Sequence, residues 1–163
     1  MKEFSYVRYS AVCGLIFGFW DVANTLVYYW SRYTPSFWGF VILAVSVLII
    51  VLSLRHFKKN YCFVPFTIVR GLKVGFVMSL VGSVMVAMAT YYTMSDAEFV
   101  AFMLKAELSE LAQAGLSTSQ IQESYELTKQ LTSPLTASVV ELFSTLFSGL
   151  FITFVTMAFI KEK

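Results

Sequence analysis

The chain has 163 residues, 58% of them hydrophobic and only 13% charged, with a mean hydropathy of +0.71. A soluble domain runs nearer half apolar and a quarter charged, and 12 basic plus 10 acidic residues are too few to cover its exterior. That excludes a soluble enzyme and a disordered tail, and a net charge of +2 is too small a footprint for a nucleic-acid binder.

A membrane-crossing helix needs about 20 mostly apolar residues, and four stretches qualify in turn. They run from about Tyr9 to Trp30, Ser36 to Leu54, Gly71 to Tyr92 and Leu135 to Ile160. The first is too long for a cleavable signal peptide, carries Asp21 and Asn24, and has no A-x-A site after it, so we expect it to be retained. The short link around Ser31 to Ser36 makes spans one and two an antiparallel hairpin. Its tip crowds Tyr28, Tyr29, Trp30, Tyr33, Phe37 and Trp38 at one boundary, and Tyr91 and Tyr92 end span three. Amphipathic aromatics settle at headgroup level, so both groups mark one interface.

Charge then orients the chain. Lys2, Arg8, Arg55, Lys58, Lys59, Arg70, Lys73, Lys161 and Lys163 fall on one side, and Arg32, Lys105 and Lys129 on the other. Under the positive-inside rule the heavier side is cytoplasmic, which predicts both termini there and residues 93–134 outside.

Within span one, Gly14 and Gly18 are four apart. Span three carries Gly71, Gly75 and Ser79 at the same step, then Gly82 and Ser83, and span four carries Ser144, Ser148 and Gly149. Lipid gives helices no hydrophobic reason to associate, so small residues mark where they pack. We expect these ridges to hold one chain together, with a homo-oligomer through Gly14 and Gly18 as the alternative. Span two lacks such a ridge and should face lipid over much of its surface. The basic, aromatic loop after it, with Phe57, Tyr61 and Phe63, reads as an interfacial anchor.

The outer segment reads as an amphipathic helical hairpin. Ser95 with Glu98 and Ser117 with Gln120 have capping-box spacing, and Gly115 stands where a first helix would end. Val100, Leu104, Leu108 and Leu111 make its main apolar stripe, and Ile121, Tyr125 and Thr128 a weaker face on the second helix. Phe99, Phe102 and Met103 fall off the stripe and are a candidate partner surface. Ser133 then Pro134 reads as the N-cap and first-turn proline of span four.

Three polar residues at membrane depth stand out, because ionisable groups there are costly and mark function by default. At a rise of about 1.5 Å per residue, Asn24 and Glu141 lie roughly 9 Å below the outer boundary and Asp21 roughly 13 Å. Asp21 and Asn24 share a helix face, and Glu141 meets them if spans one and four touch. They could glue helices or line a wet cavity. Cys13, His56 and Cys62 are too few and too scattered for a metal site. No nucleophile with a base and no phosphate loop is present, so we expect no cofactor and no enzyme. Cys13 reads as a small core hydrophobe, and Cys62 as a reduced thiol in a loop.

The whole pattern resembles the uncharacterised bacterial membrane proteins grouped as domain of unknown function 4199. The resemblance rests on SAVCGLIFGFW in span one, the charged turn before GLKVG, the polar hairpin, AGLSTSQIQE leading to SP, and a last span ending in KEK. It implies a four-span inner-membrane protein of Gram-negative bacteria with no established activity and no assigned functional residue. It also implies an accessory role in envelope glycan or lipid metabolism, with a lipid-carrier glycosyltransferase as the candidate membrane-protein partner besides the bilayer. The expected fold is therefore all-α: one membrane domain, 1–163, forming a four-helix bundle with an extracytoplasmic hairpin. The leading expected function is a non-enzymatic interaction subunit. The alternative is a small-solute or ion transporter using Asp21, Asn24 and Glu141.

Overall fold

The computed structural model describes residues 3–33, 37–61, 65–113 and 118–160. The readings made above for Lys2, Ser36, Cys62, Phe63, Gly115, Ser117, Lys161 and Lys163 fall outside them. Six helices follow in order: α1 (Glu3–Ser31), α2 (Trp38–Tyr61), α3 (Ile68–Met94), α4 (Ala97–Gln113), α5 (Thr118–Leu131) and α6 (Pro134–Ile160). Four of them, α1, α2, α3 and α6, are long and apolar enough to cross a membrane, and the chain reads as a multi-pass membrane protein. The second runs several residues past the predicted end at Leu54, because Arg55 to Tyr61 continue the helix beyond its apolar stretch.

The centre of the molecule is α3, which is buried along half of its length between α1 and α6. Small residues bring the backbones that close. A Cβ added at Gly18 would lie 2.9 Å from Gly82 Cα, and one at Gly14 would lie 2.6 Å from the Met78 carbonyl. On the other flank, Gly71 faces Met157, Gly75 faces Thr153, and Gly149 faces Ser79. Gly14, Gly18, Gly71, Gly75, Ser79 and Gly82 thus form two seams inside one chain. The Gly14–Gly18 ridge is filled by α3, so that ridge leaves no room for a second copy. Ser144 and Ser148 are exposed and belong to neither seam. The buried face of α6 runs through Ser138, Thr145, Gly149, Thr153 and Thr156, and helical rotation turns Ser144 and Ser148 toward α2.

The remaining long helix, α2, is attached unevenly. Its buried residues are Ser46, Ile50, Leu54 and Phe57, none of them in its first quarter, while Phe40 near its start is 77% exposed. Ile50, Leu54 and Phe57 join Cys13, Phe17, Phe66, Val74, Met78 and Met157 in one apolar core. At the same end the Lys58 ammonium donates to the Ile160 carbonyl at 3.0 Å, satisfying an orphan carbonyl in the last turn of α6. Tyr9 stacks on His56 and donates its hydroxyl to the Ser53 carbonyl at 2.9 Å.

At the opposite end α4 is latched to α1. Arg32 ends α1 with a left-handed φ of 55°, a conformation disfavoured for a residue with a Cβ. This turn carries its guanidinium over the Phe99 ring, 4.7 Å from the centroid, and to 3.7 Å from Asp96 Oδ2. Tyr29 donates its hydroxyl to the same Asp96 oxygen at 2.7 Å. The Phe99 ring meets Tyr28 and Tyr29 edge-on and is 2% exposed. Phe99 is therefore part of the chain's own packing and not a partner surface. Phe102 stacks on it and is half-buried, as is Met103. The α4 cap also differs from expectation: Asp96 Oδ1, not Ser95, accepts from the Glu98 amide, at 2.9 Å. Asp96 lies nearer the helix start, and Ser95 is spent on the Tyr91 carbonyl at the end of α3. Ser133 does cap α6, accepting from the Thr136 amide.

Two outcomes follow from this packing. Gly18→Leu overpacks the α1–α3 seam and should cost about 1–3 kcal/mol in reversible unfolding from mixed micelles, whereas Gly39→Ala, at a site with nothing within 4 Å, should be neutral. The Tyr29 hydrogen bond holds the Asp96 carboxyl below its ordinary value, helped by the Glu98 and Phe99 amides and the Arg32 charge. A depressed carboxyl stabilises above its unfolded-state pKa of about 3.9 and loses that contribution as pH falls through its folded value. A fluorine label on the Phe99 ring should hold its NMR shift from pH 7 to about pH 5, then move as the solution is acidified further. In Asp96→Asn that acid transition should be missing.

Candidate functional site

A cavity of about 470 Å³ opens between α1, α2 and α6, with α3 as its back wall. Three helices supply it at helical spacing. From α1 come Phe17, Asp21, Asn24, Thr25 and Tyr28; from α2 come Trp38, Gly39, Ile42, Leu43 and Ser46. From α6 come Glu141, Ser144, Thr145, Ser148, Gly149 and Ile152, and α3 adds Val86. Each set follows i, i+3, i+4 and i+7 steps, so one face of each helix is turned inward.

All three polar residues singled out from the sequence line this space. They do not bond one another: among the described residues no hydrogen bond joins Glu141 to Asp21 or Asn24. The reason is the seam. Because α3 stands between α1 and α6, those two helices flank the cavity and do not pack along each other. Each polar group has a different neighbour. The Ser46 hydroxyl donates to Asp21 Oδ1 at 3.2 Å, and the Thr145 hydroxyl donates to Glu141 Oε1 at 3.0 Å. The Trp38 indole N–H donates to Asn24 Oδ1 at 3.2 Å, while Asn24 Nδ2 donates to the Trp20 carbonyl at 2.7 Å. Asn24 is thereby occupied on both ends of its amide and positions Trp38. The Thr25 hydroxyl turns back to the Asp21 carbonyl at 3.0 Å, so it adds no outward donor.

Each carboxyl has one oxygen engaged by a hydroxyl; the second accepts no hydrogen bond among the described residues. No lysine, arginine or histidine lines the cavity. The unengaged carboxyl oxygens offer lone pairs to a donor or a cation, and the hydroxyls of Ser144 and Ser148 also line the space. Among the described residues no three His, Cys, Asp or Glu side chains gather as a metal ion would need. Phe17 leads from the cavity lining into the apolar core, and Ile152 packs against that core.

The hydroxyl and indole partners were missed in the sequence reading, although a signal was present. Glu141, Ser144, Thr145 and Ser148 form an i, i+3, i+4, i+7 polar stripe on an otherwise apolar helix, and Gly39, Leu43 and Ser46 keep similar steps on α2. Small residues serve both packing and polar lining, so from residue order alone Ser144 and Ser148 read as packing residues.

No curated protein and no solved structure matches the chain. A family model does, over residues 12–162, described as a protein of unknown function. Because that match takes in all four long helices and the two shorter ones almost completely, the chain belongs to the DUF4199 family.

Proposed function

We propose that this is a non-enzymatic protein of a bacterial inner membrane, with both termini cytoplasmic, whose work is to bind a polar group in the cavity between α1, α2 and α6. The observation that carries the reading is the convergence of Asp21 and Glu141, from opposite walls, on one space at membrane depth. Asp21 also joins α1 to α2 through Ser46, but its second oxygen and that of Glu141 stay unused beside a void large enough for a ligand. The 9-to-3 division of basic residues along the sequence supports the orientation, which puts the cavity in the outer half of the bilayer. The closed apolar core beneath it supports binding from one side rather than a continuous channel.

An accessory role beside a partner enzyme is compatible with this binding and has its own support. Helix α5 buries no residue of its own and leaves Leu127 and Leu131 exposed, so the hairpin offers α5, and not Phe99, as its contact face. A lipid-carrier glycosyltransferase stays the candidate partner, on the resemblance alone.

Thiol reactivity tests the cavity. Methanethiosulfonate reagents attack the thiolate, which forms in water and not in lipid. In a Cys13→Ser, Cys62→Ser background, Ser144→Cys should react with an impermeant trimethylammonium reagent added outside intact spheroplasts at least ten times faster than Phe143→Cys. Phe143 is half-exposed one residue away but lies off the cavity wall. Equal rates would show that no solvated cavity exists, and labelling only after lysis would reverse the orientation.

A further inference from the structure

We propose that the occupant is the ammonium head of an amphiphile, entering sideways between α2 and α6 from the outer leaflet. This rests on the solvated-cavity reading above and adds the ligand's charge, its tail and its route.

The charge follows from the lining. Asp21 and Glu141 present carboxyl oxygens, Ser46 and Thr145 already donate to them, and no cationic side chain shares the space. An anionic head would meet two carboxyls and no cationic side chain, with hydroxyls such as those of Ser144 and Ser148 as its donors. A bare metal ion would need several oxygens converging on one point, and among the described residues no such group forms. An ammonium head carries three N–H donors, which can be divided between carboxyls on two walls without several oxygens converging on one point.

The route follows from exposure. Gly39 and Leu43 on α2, and Ser144 and Ser148 on α6, all line the cavity and are all exposed. Residues on two facing walls are both open when the gap between those walls is open. Here the gap is flanked by Phe40 and Phe143, whose rings point outward to lipid at 77% and 50% exposure. The cause is the uneven packing of α2, whose buried residues begin at Ser46 and whose first turn is tied by Trp38 to Asn24 of α1, leaving its other side open. The tail follows from the same lining: beside its few hydroxyls, Phe17, Ile42, Leu43, Val86 and Ile152 make much of the wall apolar, which favours an alkyl chain over the water shell of a small hydrated cation. A volume of about 470 Å³ equals on the order of fifteen waters at roughly 30 Å³ each. That accommodates a head group and its first methylenes while the rest of the chain lies in lipid.

The test uses full-length protein in dodecyl maltoside, with Trp20→Phe and Trp30→Phe so that cavity-lining Trp38 reports alone. Titrated dodecylammonium should change Trp38 emission saturably. Ethylammonium, dodecanol and dodecyl sulfate should each require at least tenfold more or fail to saturate. D21N with E141Q should weaken dodecylammonium at least tenfold. Should that pair not fold, Gly39→Phe, which places a ring where the backbone meets open space, should block binding with both carboxyls intact. Ethylammonium matching dodecylammonium would mean that the head arrives from water, overturning the amphiphile. Dodecanol or dodecyl sulfate matching it would overturn the charge. A cavity that fails the thiol assay removes the underlying reading, while a wet cavity blind to charge and chain removes only this one.

Discussion

Helices in a bilayer gain almost nothing from leaving lipid for one another, so their association depends on how closely their backbones approach. In this chain that constraint is met by α3. Glycine and serine on two of its faces admit α1 on one flank and α6 on the other, near enough that an added methyl group would strike backbone or a buried side chain. Everything else in the molecule is placed by reference to that three-helix layer.

The cavity is a consequence of the layer. With α3 in the middle, α1 and α6 are held apart, and their polar faces cannot neutralise each other. The fourth long helix could fill the space, but its buried residues begin at Ser46, only its later part packs into the apolar core, and its first turn is held to α1 by the Trp38–Asn24 hydrogen bond. Asp21 and Glu141 are left with hydroxyl partners and unused oxygens. Keeping ionisable groups at such depth is costly, and a bound cationic head accounts for the cost in a way that helix packing does not. The latch formed by Arg32, Asp96, Tyr29 and Phe99 fixes α4 above this end of the molecule and sets where the hairpin sits.

Much of this was legible from residue order because the bilayer imposes a simple rule on composition. Unbroken apolar runs located the four long helices, and glycines at four-residue steps located both seams. The polar trio was visible for the same reason, since nothing else in span one or span four resembles it. What escaped depended on rotation about a helix axis or on contacts distant in sequence. Ser144 and Ser148 read as packing residues until the orientation of α6 was known. Phe99 lay off the stripe of its own helix, and no local pattern reveals that Arg32, 67 residues before it in sequence, adopts a left-handed turn to cover it. Ser95 had the right spacing for a cap but was already committed to the end of α3, with Asp96 one residue nearer.

The account stands or falls on α3 packing against α6 inside a single chain. Ser79 and Gly149 face each other there, with Ser79 Cβ 2.9 Å from the position a Cβ at Gly149 would take, so a slight parting of the two helices brings a cysteine pair to the roughly 3.5–4.5 Å that a disulfide spans. Two differently tagged copies of the Ser79→Cys, Gly149→Cys protein, lacking Cys13 and Cys62, should be expressed together and oxidised in native membranes. The account predicts a cross-link within each monomer that shifts its mobility and joins no two tags. Cross-linking between the tags, or no cross-link at all, would contradict it.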